Sequence, residues 1–188
     1  LDEIVAHAGE IGGAVGEIAT IKTSWDAQTW DTSTSYVTPS YPTGGSRLTV
    51  SDATIYSGTV TAPTSTALAT ATTALAGVKD FKVKVDNKLV ADRFFVGAAG
   101  LKSKPLPGMR EITVEMNVEY ESTTLRDAYL TQTPMALVIT LGTGADQVQI
   151  VLSELKLDGG LPEGGPDAPP SQAIKATVLD NLTATQPM

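Results

Sequence analysis

The segment from Arg110 to Ser122 constrains the fold more than any other. Ile112, Val114, Met116, Val118 and Tyr120 alternate with Glu111, Thr113, Glu115, Asn117, Glu119 and Glu121. Side chains on a strand point to opposite faces with a period of two, so this segment has one apolar and one acidic, polar face. At ~3.3 Å per residue it would extend roughly 40 Å, about twice the usual strand. A free edge of that length is an aggregation hazard, which suits a barrel wall or an assembled tube better than a free-standing domain.

The surrounding sequence predicts further strands and one helix. Phe81, Val83 and Val85 alternate with Lys82 and Lys84, and the turn residues Asp86-Asn87 precede Leu89 and Val90, which predicts a hairpin. Arg93 to Gly97 continues its second arm or starts the next strand. Leu125, Ala128 and Tyr129 share a helical face; Thr124 with Asp127 gives a capping-box pattern, and Pro134 stops the helix. Met135 to Leu141 alternates, Gly142 to Asp146 turns, and Val148, Ile150 and Leu152 return in phase. Leu155 and Leu157 fall one residue out of step, which predicts a bulge or bend near Ser153-Glu154. Asp158 to Ser171 reads as a Gly/Pro loop, and a final strand over about Ala173 to Leu179 closes the domain.

The first half is less regular. Asp2 and Glu3 before Ile4 and Val5 open a short helix that Gly9 ends. Trp25 to Arg47 reads as a long polar loop whose aromatics, Trp25, Trp30, Tyr36 and Tyr41, are expected to be buried within the subunit or on a neighbour. Leu48 to Val50 and Ile55 to Val60 read as short strands. Between Ala62 and Ala76, a tract of Ala, Thr and Ser, helix and linker compete.

The chain has 188 residues and no cysteine, so it can bury a core but holds no disulfide or thiolate metal site. Its net charge of −8, from 13 basic and 21 acidic residues, argues against wrapping nucleic acid, which takes clustered cations. No apolar run approaches the ~20 residues of a membrane-spanning helix. The chain opens at Leu1 rather than Met, consistent with processing or a missing start.

Catalytic residue types are scarce. His7 is the single histidine and lies in an Ala/Gly-rich terminus with no orienting partner legible in the sequence. Asp158, Glu163 and Asp167 are the one conceivable oxygen-ligand set, yet their spacing matches no EF-hand loop. Gly9, Gly12, Gly13 and Gly16 lack the lysine and preceding strand of a phosphate cradle. Glu111, Glu115 and Glu119 recur every four residues, roughly 13 Å apart, too far for a retaining glycosidase pair. They form either a solvated face, with Lys82 and Lys84 opposite on a neighbouring strand, or an acidic wall, with Glu121, that faces an internal channel and repels DNA. No catalytic, cofactor or metal residue is expected.

In the order of these elements the chain resembles the tail tube (major tail) proteins of long-tailed bacteriophages. Three pieces carry the likeness: Phe81 to Leu89 followed by Arg93-Phe94-Phe95; Gly108-Met109-Arg110-Glu111-Ile112-Thr113 running to Tyr120-Glu121; and Leu125 to Tyr129, two strands, and Ala173-Ile174-Lys175-Ala176. The resemblance implies an all-β sandwich or barrel with one short helix. It implies six subunits in a ring whose sheets join into a continuous inner barrel, and rings that stack into a tube. Such a virion protein, made in the host cytoplasm, is not an enzyme. Its partners are itself and other tail proteins; DNA passes during ejection without specific binding, and no membrane is involved. Residues 1–77 are expected to be an N-terminal arm, loop and short strands that complete the sandwich or decorate the tube. Residues 78–188 hold the core, with a helix over 123–131 and a loop over 158–172. The alternative is an extracellular β-sandwich adhesion or ligand-binding domain, which shares Thr-rich strands and turn-rich loops.

Overall fold

The computed structural model describes residues 4–27, 33, 35–41, 47–98, 102–144, 146–159, 161–165 and 168–179. The chain is all-β with one short helix. Its strands are β1 (Ile4–Ala14), β2 (Thr20–Ala27), β3 (Thr54–Thr61), β4 (Thr70–Ala74), β5 (Val78–Asp86), β6 (Glu111–Glu119), β7 (Met135–Thr143), β8 (Asp146–Gly159), β9 (Glu163–Gly165) and β10 (Ala168–Val178), with helix α1 (Thr124–Thr131) between β6 and β7. They form one ten-stranded sheet in the order β2-β1-β5-β6-β10-β8-β7-β3-β4, with β9 on β10. Every pairing is antiparallel.

The register explains the core. Ile21, Ile11, Val83, Val114, Ala176 and Leu157 lie opposite one another in turn across six strands. Phe81, Met116 and Ile174 form the next row on the same face. The sheet curls over this face, so that these residues, except Ile21 on the exposed end strand, pack with Ile55, Leu137, Ile139, Leu141, Leu152 and Leu155 in one cluster. A 3-10 turn over Val50–Asp52 bridges the curl, with contacts to β1 on one side and β7 on the other, and buries Val50. Helix α1 covers the cluster through buried Leu125, with Ala128 and Tyr129 alongside. The sheet remains open, and β2 and β4 are its ends.

The phase slip seen in the sequence is a bulge. Met135 pairs with Leu155 but Leu137 pairs with Leu152, so two steps on β7 face three on β8. The additional residue at Ser153-Glu154 turns Leu155 and Leu157 back to the core, where both are buried. The helix also falls where its pattern puts it. Its N-cap is Thr123, one residue before the expected cap, and Asp127 bonds the Arg126 guanidinium instead of completing a capping box.

Several expectations are corrected. The N-terminal segment is strand β1 instead of a helix, because it is paired on both edges, to β2 and β5. Trp25 lies in β2, not in a loop. Trp25, Tyr36 and Tyr41 are exposed, at 60, 84 and 79%, where burial within the subunit was one expectation; Trp30 lies outside the described residues. Leu48 to Val50 is no strand: Thr49 makes a single bridge to Ile18 and the 3-10 turn follows. In the Ala/Thr tract neither helix nor linker prevails over 70–74, where threonine's branched Cβ suits β4. The hairpin after β5 does not form, because β1 and β6 occupy both edges of β5; Val90 bridges Leu106 instead. Strand β6 has nine residues, ~30 Å at the usual rise, and is shorter than expected. The Gly/Pro segment contains β9 and the start of β10, with Pro169 and Pro170 in the first positions of that strand, where a missing amide is tolerated. Strand β10 lies between β6 and β8, inside the sheet.

Leu155 is fully buried beside the bulge. Leu155→Ala is expected to destabilise the fold by about 2–5 kcal/mol in urea unfolding. Deletion of Ser153 brings Leu155 and Leu157 into simple alternation with Leu152 and removes the need for the bulge, so that variant is expected to keep both leucines buried and a cooperative urea transition; loss of the cooperative transition would refute this account of the bulge.

Candidate functional site

The face opposite the core is an ordered polar surface. One row across it runs Lys22, Glu10, Lys84, Thr113, Thr177 and Lys156, and the next runs Thr20, Gly12, Lys82, Glu115 and Lys175. At Gly12 the β1 and β5 backbones approach so closely that a Cβ would run into the carbonyl of Phe81. Glu10 sits between two lysines, 2.9 Å from the Lys82 ammonium and 3.8 Å from that of Lys22. The hydrogen bond from Lys82 holds the Glu10 carboxyl below its ordinary value, and Glu10 in turn raises the Lys82 ammonium.

The four glutamates singled out in the sequence are distributed along this surface. Glu111, Glu115 and Glu119 occupy the same face of β6, and Glu121 is exposed just beyond its end. Glu111 is 2.8 Å from Lys88, and Glu119 is 3.3 Å from Lys79. Glu115 stands opposite Lys82 on one side and Lys175 on the other. The surface therefore interleaves both signs of charge. Lys82 lies opposite one of the glutamates, Glu115, as the solvated-face reading expects, whereas Lys84 faces Thr113.

The remaining candidates take up structural tasks. His7 Nδ1 is 3.3 Å from Asp26, and Lys102 approaches the other oxygen of that carboxylate at 3.4 Å. These contacts, led by His7, lower the Asp26 carboxyl and tie the segment after β5 to the β1–β2 pair. The partner of His7 is not legible in the sequence because it lies 19 residues away and is reached only through strand pairing. Asp158 accepts a 2.6 Å hydrogen bond from Thr177, Glu163 pairs in β9, and Asp167 lies outside the described residues. Among the described residues no group of three His, Asp or Glu side chains could hold a metal ion, and no helix is long and apolar enough to cross a membrane. Of the four glycines, Gly9, Gly12 and Gly13 lie in β1, and Gly16, at φ +88°, lies in the turn that follows.

A family model described as phage tail tube protein matches residues 8–178, nearly the whole described sheet. The chain belongs to the phage tail tube protein family. A search of curated proteins returned no match. As a tail tube protein it is a structural component of the bacteriophage virion tail, of a family whose members assemble with themselves or with other tail proteins. The match spans both β1–β4 and the strands after residue 78, so the resemblance read from the second half extends through the irregular first half.

The ion pairs of this tail tube protein set an acid limit. A carboxyl held below its ordinary value stabilises the fold above that value, and this is lost as pH falls through the folded one. For Glu10 the loss begins below 4.5. Amide exchange at the β1–β5 pairing is expected to accelerate from that pH downward, once corrected for intrinsic rates. Glu10→Gln should flatten this dependence, and an unchanged pH profile in that variant would remove Glu10 from the account.

Proposed function

We propose that six subunits close a ring, that rings stack into the tail tube, and that the tube conducts DNA during ejection. The observation that carries this reading is an open sheet within a tail tube family member: β2 and β4 end it, and an open antiparallel sheet is extended by strands of neighbouring copies. On this reading residues 1–77 complete the sandwich and residues 78–188 form the tube core. Synthesis takes place in the host cytoplasm, with no membrane step.

The polar face, with Glu111, Glu115, Glu119 and Glu121, is the candidate lumen surface. Its chemistry suits passage without capture. Non-specific DNA binding comes from cations that replace the counterions of phosphates. Here Lys79, Lys82 and Lys88 each stand within 3.4 Å of a carboxylate, so among the described residues these cations are interleaved with anions. A passing duplex would meet alternating signs with no sequence-reading element.

Negative-stain microscopy of the concentrated protein is expected to show rings or tubes with an open lumen; single particles under all conditions would sink the assembly. The orientation has its own test. Replacing Glu111, Glu115 and Glu119 with Lys should leave assembly intact and create DNA retention that weakens steeply with added salt. If assembled tubes of that variant retain no DNA at low salt, the glutamates do not face the lumen.

A further inference from the structure

The segment between β5 and β6 leaves the sheet as a braced arm. Val90 bridges Leu106 and Phe94 bridges Lys102, which joins the two limbs. Arg93 donates from Nη1 to the Lys104 carbonyl at 2.8 Å, and its guanidinium lies 5.3 Å from the centre of the Phe95 ring. The Lys102–Asp26 contact fastens one limb to β2. At the tip, Phe94, Phe95 and Val96 are 62, 57 and 107% exposed. Three consecutive large apolar residues held out on a braced arm mark an interaction surface, since isolated exposed residues are ordinary and contiguous ones are not.

A groove of about 790 Å³ lies elsewhere on the subunit, along β3, β7 and β8. Val60, Pro63, Met135, Ala136 and Val151 line it, together with Glu154 from the bulge of β8. Two irregularities open it. The bulge displaces Ser153-Glu154, and Gly58 at φ +97° accompanies a register shift between β3 and β4. Among the described residues no cation pairs with Glu154.

We propose that the arm tip of one subunit docks into this groove on a second copy, with Phe94, Phe95 and Val96 buried and Arg93 facing Glu154. The contact deepens the tube reading and rests on it. Both surfaces are largely apolar; the groove carries Glu154, and the residue next to the apolar tip is Arg93, with Asp92 before it and Lys102 engaged by Asp26. The groove falls within the roughly 300–1,000 Å³ of clefts that enclose a small ligand, which leaves room for two rings and a valine. Phe94 and Phe95 are 62 and 57% exposed, so docking can bury at most about three-fifths of the roughly 150–250 Å² of each side chain. Arg93 uses one of its five N–H donors on Lys104, so the guanidinium retains donors for a carboxylate. The exposed stretch Tyr36 to Tyr41 is a poorer occupant, because it carries no charge and would leave Glu154 unpaired. The arm rises between β5 and β6 and the groove lies on β3, β7 and β8, so the two patches are different and the contact is head-to-tail. Contacts of that kind repeat from copy to copy, into a ring or a stack.

The absence of cysteine makes the test direct. Val96→Cys and Val60→Cys proteins are purified separately, mixed at high concentration, oxidised gently and run without reductant. The expected result is a disulfide-linked dimer in the mixture and in neither protein alone. In parallel, Phe94→Ser with Phe95→Ser, at sites already exposed, should raise the concentration needed for assembly at least tenfold. The cross-link is read whether or not tubes form. Its absence overturns the contact, as does preferential linkage of a Tyr36→Cys variant to Val60→Cys. A cross-link without rings or tubes in the microscope upholds the contact and overturns the tube reading.

Discussion

The structure depends on register. Ile21, Ile11, Val83, Val114, Ala176 and Leu157 form one line because six strands pair so that their apolar residues meet. A slip of one residue in any of these strands would carry that strand's apolar side chains to the opposite face. The same pairing that assembles the core aligns Lys22, Glu10 and Lys84, and next to them Lys82, Glu115 and Lys175, on the other surface. Core and polar face are thus two consequences of one set of backbone hydrogen bonds. The bulge at Ser153-Glu154 belongs to this system as its correction, since it restores the phase of Leu155 and Leu157 at the place where β8 changes partners from β7 to β10.

What was legible in the sequence follows from the range of each interaction. The alternation of β6, the helix around Leu125 and the phase slip before Leu155 are all local patterns, and each appears in the structure. Strand β1 was obscured because glycines occupy positions on both of its faces, leaving Ile11 and Glu10 as nearly its only readable signals. Strand β4 was obscured because Ala and Thr alone do not separate strand from linker. The hairpin at Asp86-Asn87 misled for another reason. Turn residues report a change of direction, and here the chain turns away into the arm because both edges of β5 are taken.

The polar face shows the same division. That Glu111, Glu115 and Glu119 share a face was readable from spacing. The character of that face was not, because it is set by neighbours far away in sequence: Lys88 and Lys79 as partners, Lys82 and Lys175 as cross-strand neighbours. The association of His7, Asp26 and Lys102 was equally hidden, since it joins three segments that meet only after the sheet has formed.

The end strand β2 carries one more consequence. It is exposed along almost its whole length, and Ile21 and Trp25 stand open on it. Near its start, beside Ile21, sits Lys22, 3.8 Å from Glu10. A charged side chain in an end strand discourages casual pairing with whatever chain arrives first. In the assembly proposed above, any strand that joins this end would have to accommodate the charge of Lys22, which makes the end selective as well as open.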